Sequence, residues 1–191
     1  MKLIIIIILC LIILILILVP AYFGMFTKVK FSEEMSGVFT IVYKPVKGDY
    51  RKSGAVMDDV FNFLKNQMKI ETTKGFGYYF DDPQKTNKDE LRSIAGCVVD
   101  KNINKSEIEK AGYKTDFIEN NQAYVTTFPY KSKLSVVFSL FKVYPALAVR
   151  MSADKKENLP VIEIYDIPEK KIRYIIFKDI SREKIISRYY E

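Results

Sequence analysis

The chain has 191 residues, a formal net charge of +7, no histidine and only two cysteines. That length allows one domain, or one domain and an anchor, and the missing histidine excludes Ser-His and Cys-His catalysis and every histidine-based metal site. Lys and Arg are interspersed with Asp and Glu, with no basic run and no recognition motif, so the charge reads as a solvated or membrane-facing surface and predicts no nucleic-acid partner.

Residues 1–26 open the chain with an apolar run of Ile, Leu and Val that continues through Pro20, Ala21, Tyr22 and Phe23. At ~1.5 Å per residue this run crosses a hydrocarbon core of ~30 Å. It exceeds the ~7 to 15 residues of a signal-peptide core, which favours an uncleaved single-pass anchor over the competing reading, a cleaved signal. Cys10 lies in the span and Cys97 is then alone, so no intradomain disulfide can form. Together with Lys28 and Lys30 after the span, this leans towards a cytosolic domain.

Residues 27–37 are expected to be a linker, 38–180 a folded domain and 181–191 a tail. In the domain, Val38 to Lys44 alternates as a strand, and a helix follows Gly48 with Val56, Met57, Val60, Phe61, Leu64 and Met68 on one face. Phe76 to Phe80 and Leu91 to Val99 are strands joined by an Asp-Asp-Pro loop. Residues 101–121 read as a polar connector with a short helix from Ser106 to Ala111. Ala123 to Phe128 then begins a second set. Its helix opens at Ser132 with Leu134, Val137, Phe138 and Phe141 as the apolar face, and Pro145 is expected to bend it or start a new segment. Val161 to Tyr165 and Ile172 to Phe177 are the last strands.

The second set repeats the first. Pro45 and Pro83 are spaced almost as Pro129 and Pro168 are, and Phe80-Asp81-Asp82-Pro83 aligns with Tyr165-Asp166-Ile167-Pro168. The predicted class is therefore α+β: a duplicated strand-helix-strand-strand unit forming one antiparallel sheet, with the helices on one face and the other face open. The seam between the repeats is the natural place for a pocket.

Alternation along Val161 to Tyr165 sends Ile162 and Ile164 to the helices and leaves Glu163 and Tyr165 on the open face. The repeat pairs Tyr78 with Glu163 and Phe80 with Tyr165, so these four residues form the candidate ligand-binding set. One carboxylate among aromatic rings suits an apolar or cationic small molecule. An equally good reading pairs Glu163 with Arg173 or Lys171 at a solvated surface. No catalytic residue, metal ligand or cofactor is assigned.

Tyr79-Phe80-Asp81-Asp82-Pro83 with Leu91-Arg92-Ser93, and Ile162-Glu163-Ile164-Tyr165, resemble the signature segments of the GyrI-like family of effector-binding domains. Thr126-Thr127-Phe128-Pro129-Tyr130, Val143-Tyr144-Pro145-Ala146-Leu147 and Pro160-Val161-Ile162-Glu163 are similar to the testis-expressed protein 264 family within it. The resemblance implies a small-molecule cleft with Glu163 as its acidic contact. It also implies two alternatives: an endoplasmic-reticulum membrane adaptor or autophagy receptor with an unidentified protein partner, and a small hydrolase using Glu163. The adaptor motif nearest to hand, Asp58-Asp59-Val60-Phe61-Asn62-Phe63-Leu64, falls on a helix face expected to pack the core.

Overall fold

A computed structural model describes residues 1–100, 103–156 and 158–190. Lys101 and Asn102, which begin the expected connector, and Glu191, which ends the expected tail, lie outside them.

Helix α1 (Lys2–Tyr22) has no buried residue. It is long and apolar enough to cross a membrane, with Pro20 in its last turn. Eight strands then form one wholly antiparallel sheet: β1 (Ser32–Met35), β2 (Phe39–Lys47), β3 (Lys74–Tyr79), β4 (Arg92–Val99), β5 (Lys114–Ile118), β6 (Gln122–Pro129), β7 (Val161–Asp166) and β8 (Lys171–Phe177). Their order is β1-β6-β8-β7-β3-β4-β2-β5. The duplicated unit is visible in that order. Strands β3 and β7 pair at the centre, β4 and β8 flank them, and β2 and β6 lie outside those, so each repeat supplies half of a pseudo-symmetric sheet.

Helices α2 (Ser53–Asn66) and α4 (Lys133–Ala153) cover one face of this sheet, as the repeat predicts. The cross-strand register puts Val42, Cys97, Gly75, Tyr165, Ile172 and Phe128 on that shared face. Its core has two parts, one under α2 around Val60, Phe63 and Leu64, and one under α4 around Val143, Leu147 and Tyr174.

The opposite face departs from expectation. It is covered by α5 (Arg182–Tyr190), formed by the segment read as a tail, whose Ile185, Ile186 and Tyr189 bury Tyr78, Phe80, Phe76, Ile162 and Ile164. Both strand faces are thus apolar at the centre of the sheet. The supposed linker likewise contributes β1, which pairs with β6 through Ser32↔Val125 and its neighbours. The connector holds α3 (Lys105–Lys110) and the edge strand β5, whose polar residues Lys114, Thr115 and Asp116 concealed it.

Helix α4 differs in two ways. It continues through Pro145, which lies on an exposed side of the helix. It also buries Ser135, Ser139, Val143, Leu147 and Met151 in place of the stripe that the apolar spacing favours. A helix apolar on nearly every side gives the period no contrast, and small serines let it approach the sheet more closely than Leu or Phe would.

Candidate functional site

The site lies on the helix-covered face where the repeats meet. Glu163 on β7 stands opposite Gly77 on β3 and Tyr174 on β8, so its side chain points between α2 and α4. It is 2% exposed. Tyr144 from α4 donates its hydroxyl to Glu163 Oε1 at 2.7 Å, and the Tyr165 hydroxyl donates to Oε2. Below them the Tyr174 hydroxyl donates to Ser139 Oγ at 2.6 Å, and Ser139 in turn donates to the Val136 carbonyl.

Glycine makes room for this arrangement. A Cβ on Gly77 would stand 2.6 Å from the Tyr79 hydroxyl oxygen, so the Tyr79 ring lies across the space a side chain there would take. A Cβ on Gly75 would meet Met57 Sδ and the Tyr165 side chain at ordinary contact distance. Tyr130 packs edge-on to Tyr165 and Tyr50 to Tyr79, extending an aromatic rim around the carboxylate. Tyr79, Tyr144 and Tyr165 are each partly exposed while Glu163 is not. The tyrosines are therefore the layer between the carboxylate and water.

Burial raises the Glu163 pKa above the ordinary carboxylate value, opposed by the hydrogen bonds from Tyr165 and Tyr144. Burial, and after it the Glu163 charge, pushes the Tyr144 and Tyr165 hydroxyls well above their usual range, so both remain protonated donors. Among the described residues no ion pair engages Glu163. Arg173, its expected surface partner, bonds Ser36 and Glu34 from the other face of β8, and Lys171 pairs with Glu169. A second polar feature borders the site. Ser93 Oγ, on the strand position opposite Tyr79, is buried without a hydrogen-bond partner among the described residues, and Ser53 Oγ at the start of α2 is buried beside the Tyr79 hydroxyl.

The structure brings together only two of the four residues expected here. Glu163 and Tyr165 are adjacent, but on the helix-covered face and not an open one. Tyr78 and Phe80 point to the opposite face, where both pack against Tyr189 of α5. The tyrosine beside Glu163 is Tyr79, one residue away, and a one-residue slip in a strand exchanges the faces. Tyr144 and Tyr174 were missed. Tyr144 lay in a helix whose buried side was misassigned, whereas the alternation of β8 about Ile172, Tyr174 and Ile176 carried a usable signal.

A carboxylate without a cationic partner among the described residues, held by neutral phenols and ringed by π faces, can complement a positive charge. The Cys97 thiol is buried under α2 and pushed up to about 12, far from a reactive thiolate.

No protein-family model and no curated protein matches the chain. Solved structures do. The C-terminal domain of EcmrR superposes with a TM-score of 0.51 at 11% identity, covering 78% of this chain and 96% of that one. The chain shares the fold of that domain. EcmrR in its complex with DNA matches with a TM-score of 0.50 at 12% identity, over 78% of this chain and 56% of that one. SAV2435, solved bound to tetraphenylphosphonium, gives 0.49 at 10% identity over 77% and 92%. At these identities the likeness is one of fold.

Proposed function

We propose that the protein is a membrane-tethered GyrI-like domain that binds an apolar or cationic small molecule at the seam between its repeats. Glu163 supplies charge complementarity, and Tyr165, Tyr144 and Tyr79 supply the aromatic wall. The observation that carries this reading is the buried Glu163 carboxylate with neutral donors and no cationic partner. The Ser93 hydroxyl, unpartnered among the described residues, supports it, because a buried polar atom left unpaired marks a place where a ligand or water completes the set. A ligand enters by displacing the phenols of Tyr144 and Tyr165, which are held by one hydrogen bond each to the carboxylate.

The tether is α1, and the free thiol of Cys97 agrees with a domain on the cytosolic side. No observation favours the adaptor alternative: Phe61 is 37% exposed, but Leu64, the other anchor of that motif, is fully buried.

The test is a titration of the full chain in lipid nanodiscs with tetraphenylphosphonium as an aromatic cation. Glu163→Gln is expected to weaken binding by about 1–3 kcal/mol, since it removes the charge and keeps the shape. Tyr165→Ala is expected to weaken it as well. Equal affinity in the wild type and both variants would overturn the site.

A further inference from the structure

Helix α4 turns an apolar side to solvent. Leu134, Val137 and Phe141 are 49, 47 and 73% exposed, and helical spacing puts Phe138 and Ala148 on the same side. A continuous exposed apolar strip marks a docking surface. What docks there is indicated by the surroundings of the helix.

Continuity with the span comes first. The Tyr22 ring, at the end of α1, lies 5.7 Å from Lys131 Nζ, and Gly24 packs so closely on the Phe128 ring that a Cβ would come within 2.8 Å of it. The span therefore ends beside the N-terminus of α4. From there Val29 and Phe31 run along the helix and, with Ala146, Val149 and Arg150, line an apolar cavity of about 410 Å³. Charge comes second. Lys131 and Lys133 are exposed around that end, and α4 carries Lys133 and Lys142 but no carboxylate; Lys28 and Lys30 line a separate cavity with Ser32, Glu34 and Thr127, and Arg150 is paired with Glu33 and Asp154. Third, Tyr22, Met25 and Phe26 are exposed at the same place, as residues at a bilayer interface are.

We propose that the outward face of α4 lies in the interface of an anionic bilayer, the one that α1 enters. Leu134, Val137 and Phe141 would be immersed below the headgroups, with the lysines among the phosphates. The proposal rests on reading α1 as a retained span, and it is independent of ligand binding.

The test uses the full chain with Cys10→Ser and a fluorophore at Phe141→Cys; buried Cys97 stays unlabelled. The protein is reconstituted into phosphatidylcholine–phosphatidylserine vesicles containing acyl-chain-brominated lipid. Two comparators are the label at Glu109→Cys, on α3 at the far end of the sheet, and a label on native Cys10 within the span. The label at 141 is expected to be quenched at least about three-fold more than that at 109. Val137→Cys serves as a second reporter should the first disturb the helix. Equal quenching at the α4 and α3 positions with a quenched Cys10 label overturns docking and leaves the span standing, and an unquenched Cys10 label overturns both. Self-quenching at 141 that disappears on dilution with unlabelled protein assigns the face to a second copy and also overturns the proposal. Tetraphenylphosphonium binding, measured on the same vesicles, decides the ligand reading separately.

Discussion

Glu163 places an ionisable carboxyl where solvent does not reach, and its raised pKa makes it a stability term. The folded protein holds the proton at pH values where the unfolded chain has released it. Stability contributed by Glu163 is thus full below the ordinary carboxylate range and falls as pH rises through that range to the raised value. Glu163→Gln removes this dependence. The variant is expected to match or exceed wild-type stability at neutral pH, with the difference shrinking in acid. Denaturant unfolding at several pH values, followed by tyrosine fluorescence, measures it; a variant less stable than wild type at neutral pH would show that the carboxylate is the better hydrogen-bonded form. The residue itself was legible in the sequence, because a lone Glu in a Val-Ile-Glu-Ile-Tyr strand invites notice. Its environment was not. Aligning repeats across an insertion leaves the register uncertain by one residue, and that is the difference between Tyr78 under α5 and Tyr79 beside Glu163.

At the scale of elements, the Asp-Asp-Pro loop does more than turn the chain between β3 and β4. The Asp81 carboxylate is fully buried and takes hydrogen bonds from the Arg92 backbone N–H at 2.7 Å, from the Arg92 guanidinium, and from Arg182 at the start of α5. Burial raises its pKa, but the two arginines outweigh burial and leave it below the ordinary value. Arg182 also donates to the Phe80 carbonyl, so α5 is fastened to the end of β3. Asp81→Asn is expected to cost about 2 kcal/mol, less than the 3–5 kcal/mol of a fully buried pair because both guanidinium groups reach water. The loss should appear in thermal unfolding at neutral pH and narrow in acid, where the wild-type carboxylate protonates as pH falls through its lowered pKa. The same segment was readable as a loop from its proline. Its tie to α5 was not, since nothing local to residues 181–190 says which face their apolar side will cover. Helix α4 shows the complementary failure: with apolar residues on almost every side, its sequence contains both the face that packs on Tyr174 and the face that reaches outward.

Over the whole molecule, the duplication predicted one antiparallel sheet built from two repeats, and the additions at either end extend and cover that sheet. Two repeats with both helices on one face leave Phe76, Tyr78, Phe80, Ile162 and Ile164 without cover, and the chain meets this by folding its C-terminal segment back as α5. Burying Ile185, Ile186 and Tyr189 contributes roughly 5–9 kcal/mol at the usual 1.5–3 kcal/mol for each large apolar side chain. That is comparable to the entire net stability of a typical domain, about 5–15 kcal/mol. A chain ending at Ile180 keeps every strand and both repeat helices yet exposes a broad aromatic face. It is expected to lose cooperative unfolding and to bind a hydrophobic dye at neutral pH, and the Glu163 site would loosen with it because Ile162 and Ile164 flank that residue on β7. Unfolding of the truncated chain within a few degrees of the full-length protein, without dye binding, would show that α5 is an accessory and that the sheet is stable with one face open.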